Sequence, residues 1–318
     1  MKHIFIVNPH AGKQSCEALV RTSVAPYQQD YDIEIYVKQH RGDSYEVVRR
    51  YRDLYPDEEL RFYACGGDGT LREVAYALMG LDGVAFTSFA CGSGNDYVKY
   101  YGGPDRFCQV KPLLDGTLDR IDMMTVNDDA PGSYGPDKVY AMNATHFGLD
   151  YRVAATMNRL RRHRLLGGSL CYPASVAEAF VGGMRTRCRV YADGELLNPS
   201  GELLLCTVAH GICVGGSYHC APRSSNSDGL LEVCLVHPVS RLRFLTLMSA
   251  YQHGTHLDDP RFSRYIVYRQ ARHVVIEGGD DFGVSLDGEL YLSPTVDVRV
   301  VPQALSFIVP NEEESPLL

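Results

Sequence analysis

Short apolar runs ending in turn residues alternate with helix-spaced apolar positions along the first third of the chain. The runs "HIFIVN" (3–8), "DIEIYVK" (32–38), "LRFYAC" (60–65) and "GVAFTSFACG" (83–92) predict strands. Between them "SCEALVRTSV" (15–24), "DSYEVVRRYRDLY" (43–55) and "LREVAYALMG" (71–80) predict helices, and a further helix is expected to open near Asn95. Strands alternating with helices pair in parallel, because each crossover returns the chain to the same end of the sheet. The expectation is an α/β N-terminal domain whose ligands bind at the carboxyl ends of its strands.

The pattern changes after residue 117. Strand-like runs follow in close succession at 118–127, 138–150, 187–193, 202–210, 230–238, 264–270, 273–279 and 283–292. Turn residues separate them, which predicts a β-rich antiparallel sandwich or barrel-like domain. Helical stretches at 151–166 and 169–184 interrupt this half, and the polar tail "NEEESPLL" (311–318) is expected to fray.

Composition adds limits. A length of 318 residues suits two domains, and 45% hydrophobic with 22% charged residues is ordinary for a globular chain. The formal net charge of -8 argues against broad nucleic-acid binding, which needs a basic face. No apolar run approaches the roughly 20 residues of a spanning helix, and "MKHIFIVNPHAGK" is too glycine-broken for a signal peptide. A cytoplasmic protein, at most peripheral to a membrane, is expected. The ten cysteines include no C-x-x-C pair, and Cys65, Cys206 and Cys234 fall in apolar runs, so buried reduced thiols are expected.

Three glycine-containing turns, "NPHAGK" (8–13), "GGDGT" (66–70) and "CGSGND" (91–96), each follow a predicted parallel strand. Glycines let backbone N–H groups approach a bound group, and helices opening at Thr70 and Asn95 would aim positive dipole ends at it. Each turn alone is equally a tight strand-to-helix connection. Together, with Lys13 and Thr70 in reach, they predict a phosphate cradle. The P-loop pattern fails, with Val7 at its first glycine position and Gln14 after Lys13, and Thr70-Leu71-Arg72 break the dinucleotide fingerprint. Asp68 within a phosphate loop calls for a cation between two anions, Mg²⁺ being the expected ion.

In this order and spacing, "NPHAGK", "GGDGTLREV" and "GSGNDYVKYYG" resemble the catalytic domain of the diacylglycerol kinase family, its soluble bacterial lipid kinases above all. Downstream, "APRSSNSDGLLEV" (221–233) is similar to the family's Ala-Pro…Asp-Gly-Leu-Leu segment, with Ser224 where Ala is usual, and "SLDGEL" (285–290) resembles its Asp-Gly-Glu triplet. The resemblance implies a nucleotide-binding domain over 1–117, a lipid-binding β-rich domain over 118–302, and catalysis in the cleft between. It also implies that the last strand, near "ALSFIV" (304–309), returns to the first domain, so that 303–318 completes it.

The reaction so implied moves the γ-phosphoryl group of ATP to a lipid hydroxyl, taking diacylglycerol to phosphatidic acid. Phosphatidylglycerol, a sphingoid base or NAD are alternative acceptors, and a non-catalytic nucleotide-binding module is the alternative of another class. Asn8 and Lys13 would hold nucleotide. Gly66, Gly67, Gly69 and Thr70 would bind its phosphates, and Gly92, Ser93, Gly94 and Asn95 would close the other side. Asp68 would serve Mg²⁺, while Asp96 either joins it or is a first-turn helix acid. Asp287 is the expected general base, with Glu289 on the same side if the strand continues. The bland reading of Asp287 is a β-turn. Asp228 either binds a structural Mg²⁺, as the resemblance implies, or makes an Asx-turn. His210, Cys213, His219 and Cys220 match no familiar zinc spacing.

The helices between 151 and 184 carry Val153, Leu160, Leu165, Leu166, Leu170, Val176 and Phe180 around the basic run "RLRRHR" (159–164). A solvated face and ordinary core packing explain them equally with an acyl-chain cavity whose basic rim meets an anionic membrane. The bacterial members imply a homodimer.

Overall fold

A computed structural model of the chain describes residues 1–12, 15–127, 138–162, 171–216 and 218–312, with side chains omitted at 161, 162 and 171–173. Lys13, most of the basic run 159–164, Leu165, Leu166 and Leu170, and residues 313–318 of the tail lie outside the described residues or side chains. The chain forms two compact units. The first holds Met1–Met123 and resumes at Pro302, and the second holds Tyr140–Val301 with the few residues after Met123.

The first unit alternates strands β1 (Lys2–Val7), β2 (Ile33–Val37), β3 (Leu60–Gly66) and β4 (Val84–Ala90) with helices α1 (Cys16–Val24), α2 (Asp43–Leu54) and α3 (Asp68–Leu78). The strands pair in parallel in the order β2-β1-β3-β4. Every residue of β1 and β4 is buried, the polar Lys2, His3, Thr87 and Ser88 included, as strands covered by helices on both faces are. α1 opens on Ser15, whose hydroxyl accepts from the Ala18 amide, and buries Cys16, Val20 and Val24 at a spacing of four. α3 buries Leu71, Val74, Ala75 and Leu78, one stripe of a 3.6-residue period. Because β1 is central, the chain runs outward on one side to β2 and on the other to β3 and β4. The switch point lies between the carboxyl ends of β1 and β3, where open α/β sheets bind ligands.

A buried ion pair braces this unit. Lys38, just past β2, bonds Glu73 of α3, and the Asp43 carboxylate lies 3.9 Å from the same ammonium. Glu73 also accepts from the Gly42 amide and the Ser44 hydroxyl, so it stitches α3 to the start of α2. Glu73→Ala strands the Lys38 ammonium, which is 6% exposed. It is expected to cost about 3 kcal/mol, read as a lower denaturant midpoint with an unchanged slope. Lys38→Met with Glu73→Leu should recover only part of that loss, because it removes the stranded ammonium but leaves the buried Asp43 carboxylate without its cation.

Short helix α4 (Val110–Leu114) leads into strand β5 (Thr117–Val126), which ends in the second unit. That unit then builds β6 (Val139–Ala141), β7 (Ala144–Gly148), α5 (Leu149–Arg162), α6 (Cys171–Gly182), β8 (Thr186–Arg187), β9 (Arg189–Ala192), β10 (Glu195–Leu196), β11 (Glu202–Leu203), β12 (Leu205–Ala209), β13 (Leu231–Val236), α7 (Arg241–Gln252), β14 (Ile266–Ala271), β15 (His273–Glu277), β16 (Gly283–Leu286), β17 (Glu289–Leu292) and β18 (Thr295–Val309). One antiparallel sheet runs β14-β13-β12-β7-β16-β17, and β10, β9 and β15 pair antiparallel toward the first half of β18. α7 packs Phe244, Leu247, Ala250 and Tyr251 into a core with Cys234, Val236 and Phe262.

β18 returns the chain to the first unit. Pro302 has no amide hydrogen and Gln303 has φ 48°, so the ladder is interrupted there. The Gln303 amide donates instead to the fully buried Asp122 carboxylate at 2.7 Å. The second half of β18 then pairs parallel to β4, Phe307 opposite Phe86.

Three expectations change. No α-helix opens at Asn95: that residue has φ 53°, and a five-residue 3₁₀ turn follows at Tyr97–Tyr101. The third glycine loop therefore has no α-helix dipole behind it. The helix at α3 opens at Asp68, two residues before Thr70. Cys16 and Cys91 pair as a disulfide that the sequence reading did not anticipate, while Cys65, Cys206 and Cys234 are free and buried as expected, with six of the seven described free thiols buried.

Candidate active site

The three glycine loops of the first unit converge. The Asn8 amide donates to the Cys65 carbonyl at 2.9 Å, and its side-chain Nδ2 donates to Thr70 Oγ1 at 3.3 Å. The amides of Cys91 and Gly92 both donate to the Gly66 carbonyl, at 3.1 and 2.9 Å. The Cys16–Cys91 disulfide joins the start of α1 to the third loop.

Glycine is required where backbones touch. A Cβ on Gly92 would lie 2.3 Å from Gly67 Cα, and one on Gly66 would lie 2.3 Å from Thr70 Oγ1. Gly69 differs, because a Cβ there meets nothing within 4 Å and the residue is exposed. Packing within the protein does not explain it.

That turn is prepared for an anion. α3 has Gly67 at its cap and no side-chain cap bond; the Thr70 and Leu71 amides donate to the Gly67 carbonyl at 2.9 and 3.1 Å, and the turn's N-terminal end carries the positive end of the helix dipole. Asp68 stands in the same turn, and its Oδ1 accepts from the Tyr97 amide at 3.2 Å. A Cβ on Gly94 would fall 2.7 Å from Asp68 Oδ2, so this carboxylate lies against the third loop. Asn95 completes the junction. Its Nδ2 donates to the Gly92 carbonyl at 3.0 Å, while its Oδ1 is buried, near Gly67, with no partner among the described residues. A buried acceptor without a donor is costly, and here it lies beside a carboxylate-bearing loop. Carboxylate and amide oxygens are the ligands Mg²⁺ takes, one or two from protein with phosphate and water completing the shell. The residues fit that ion.

Thr70 and Asn8 bond each other across the first two loops. Thr70 is 4% exposed and its hydroxyl lies between Asn8 and Gly66, so both side chains lock the first loop to the second. Ser93 is exposed on the third loop, and Asp96 bonds Lys99 at 2.6 Å at the head of the 3₁₀ turn. The sequence reading missed Phe307. Its ring centroid lies 5.3 Å from Phe86, 5.4 Å from Tyr97 and 5.0 Å from Tyr101, so the last strand anchors the turn after the third loop. The only signal was an aromatic within "ALSFIV".

In the second unit Asp287 and Gly288 are the two central residues of the β16–β17 hairpin turn, with φ 45° and 86°. Positive φ at both is the I′ geometry that Asp-Gly favours. The strand therefore stops at Leu286, and period-two alternation does not place Glu289 beside Asp287. The Asp287 carboxylate accepts three backbone amides, Met142 at 2.6 Å on Oδ2 and Asn143 and Ala144 at 2.9 Å on Oδ1. A carboxylate offers about four acceptor positions, so these bonds fix its plane and leave at most one lone pair for other work.

Asp228 forms the Asx-turn, its Oδ1 accepting from the Leu230 amide at 3.0 Å, with Gln270 3.4 Å from Oδ2. His210, Cys213, His219 and Cys220 make no metal cluster: among the described residues no three His, Cys, Asp or Glu side chains are placed to hold an ion. Burial pulls the His210 imidazole down to about 4. No helix of the described residues is long and apolar enough to cross a membrane.

Two family models cover most of the chain. The diacylglycerol kinase catalytic domain matches residues 2–126, and the YegS C-terminal NAD kinase β-sandwich-like domain matches residues 143–309. The chain is 28% identical to a "Probable lipid kinase YegS-like" of Pseudomonas fluorescens, over 96% of this chain and 95% of that one. It is 25% identical to a diacylglycerol kinase of Bacillus subtilis, over 89% and 88%. The crystal structure of a diacylglycerol kinase from Bacillus anthracis shares the fold with a TM-score of 0.69 at 18% identity, covering 98% of this chain and 97% of that one. The chain belongs to the lipid kinase family that joins a diacylglycerol kinase catalytic domain to a YegS C-terminal domain, a family of phosphotransferases with an alcohol acceptor.

Proposed function

We propose that the protein transfers the γ-phosphoryl group of ATP to a lipid hydroxyl, with diacylglycerol as the acceptor and phosphatidic acid as the product. The observation that carries this reading is the junction of three loops at the β1–β3 switch point. There the Asp68 carboxylate lies against the third loop, the Asn95 amide oxygen lies near Gly67 without a partner among the described residues, and α3 opens with no side-chain cap in the turn that holds Gly69, whose missing side chain no described neighbour requires.

The roles follow from the chemistry. The Asp68 turn and the third loop hold the phosphates, and Asp68 with Asn95 Oδ1 would hold Mg²⁺, which when bound draws charge from the phosphate oxygens. The acceptor hydroxyl attacks the γ-phosphorus, the bond to the β-phosphate oxygen breaks, and ADP leaves. The hydroxyl proton passes to Asp287, which its three amide donors hold in one orientation.

Incubation with labelled ATP and Mg²⁺ across a panel of lipids in mixed micelles tests this. Label is expected in phosphatidic acid. Label in NAD regardless of micelles would assign a soluble acceptor instead, and nucleotide binding without turnover on any lipid would make the chain a non-catalytic module.

A further inference from the structure

α7 is apolar on opposite faces. Phe244, Leu247, Ala250 and Tyr251 enter the core, yet Leu242 is 77% and Leu245 57% exposed. Spaced three apart, the two leucines share the outward face. Arg241 donates to the carbonyls of Phe180 and Val181, which brings the end of α6 alongside, and Val181 is 74% exposed. These are three of the largest apolar exposures among the described residues, gathered at one place.

The charge there is also unusual. The first turn of α7 carries Arg241 and Arg243 and no acid, the reverse of what the helix dipole favours. Arg243 and Arg264 flank the Tyr265 ring at 4.6 and 4.8 Å. Arg243, Arg261 and Arg264, with Leu242, line an open groove of about 560 Å³. Arg261 is paired with Asp259, whereas Arg241, Arg243 and Arg264 have no carboxylate partner among the described residues. A local cationic field thus surrounds exposed leucines on a chain whose net charge is -8.

We infer that the outer face of α7, with Val181 and the Arg261–Arg264 segment, docks on the surface of an anionic lipid bilayer. Leucines enter the acyl boundary while the guanidinium groups meet phosphate headgroups, the arrangement of interfacial helices. A second copy of the chain is a poorer occupant. A two-fold contact places each patch on itself and sets arginines against arginines. Resting on the proposed function, this surface gives the lipid kinase its route to a substrate that stays in the membrane.

The test is co-sedimentation of the full chain with vesicles of phosphatidylcholine alone or enriched in phosphatidylglycerol. Two double variants are compared, Leu242→Ser with Leu245→Ser and Arg243→Gln with Arg264→Gln, each checked by thermal melting. The wild type should bind the anionic vesicles about tenfold more strongly, each variant should lose about that much, and added salt should weaken what remains. Equal binding by wild type and both variants, or no binding by wild type, would overturn the inference. So would a concentration-dependent dimer that the leucine variant abolishes, which assigns the face to a second copy. Turnover of a short-chain, water-dispersed diacylglycerol is measured alongside and should survive in both variants. Vesicle binding without any turnover would sustain this surface and sink the kinase reading.

Discussion

Asp287→Asn should lower kcat by about 10²–10⁴-fold, the usual contribution of a positioned general base. It should also cost stability, for a reason only the structure supplies. Asn keeps the hairpin, because Asn-Gly favours the same I′ turn as Asp-Gly. Its amide nitrogen cannot accept, however. If Oδ1 keeps the Asn143 and Ala144 amides, the new NH₂ faces the Met142 amide at the 2.6 Å position, donor against donor. Leaving that amide without an acceptor costs about 1–3 kcal/mol. The two effects separate experimentally. Phosphate transfer measured well below the melting temperature reports on the folded population, and a denaturant titration reports the stability loss. A residue that only shaped the turn would lose activity in proportion to unfolding. Near-wild-type kcat in folded Asp287→Asn would remove it from proton transfer. Glu289→Gln leaves the turn and its three amides intact and is the comparison for a charge effect at the same hairpin.

The parts of the fold that were legible in the sequence are those whose burial is one-sided or total. β1 and β4 are mostly apolar runs, and α3 carries a Leu71-Val74-Ala75-Leu78 stripe, so each could be placed from pattern alone. α7 escaped because Leu242 and Leu245 face out while Phe244 and Leu247 face in, which erases the period. The first half of β18 escaped because Val296 and Val298 alternate only briefly before Pro302. The Asn95 helix failed for a local reason: Asn95 itself is left-handed and the chain after it closes only a five-residue 3₁₀ turn, and nothing in "GSGND" alone distinguishes the two outcomes. The glycine clusters were legible as a set. Which glycines are forced by packing was not, since that depends on which backbones meet. Gly92 sits 25 positions from Gly67 in the chain and against it in space. Lys38–Glu73 was likewise hidden, its partners lying on different elements.

That distinction gives the second large effect. Gly92→Ala and Gly69→Ala add the same atom to different surroundings. At Gly92 the new Cβ would meet the Gly67 backbone at 2.3 Å, so two loops must part. Misplacing a phosphate-binding loop by about 1 Å costs on the order of 10²-fold in rate, and folding stability falls with it. At Gly69 the new Cβ meets no protein atom within 4 Å, in the first turn of α3. Alanine there should raise stability by about 0.5–1 kcal/mol, because glycine loses more backbone freedom on folding. If the loop cradles phosphate, the same methyl occupies the space the ligand needs. ATP affinity should then fall by about tenfold or more, equivalent to a loss of roughly 1.4 kcal/mol, while the melting temperature rises. A protein that becomes more stable and binds nucleotide worse separates a ligand site from a tight turn. If Gly69→Ala gained stability and kept its ATP affinity in calorimetric titration, the phosphates would have to lie elsewhere, and Asp68 would lose its reason to hold a cation.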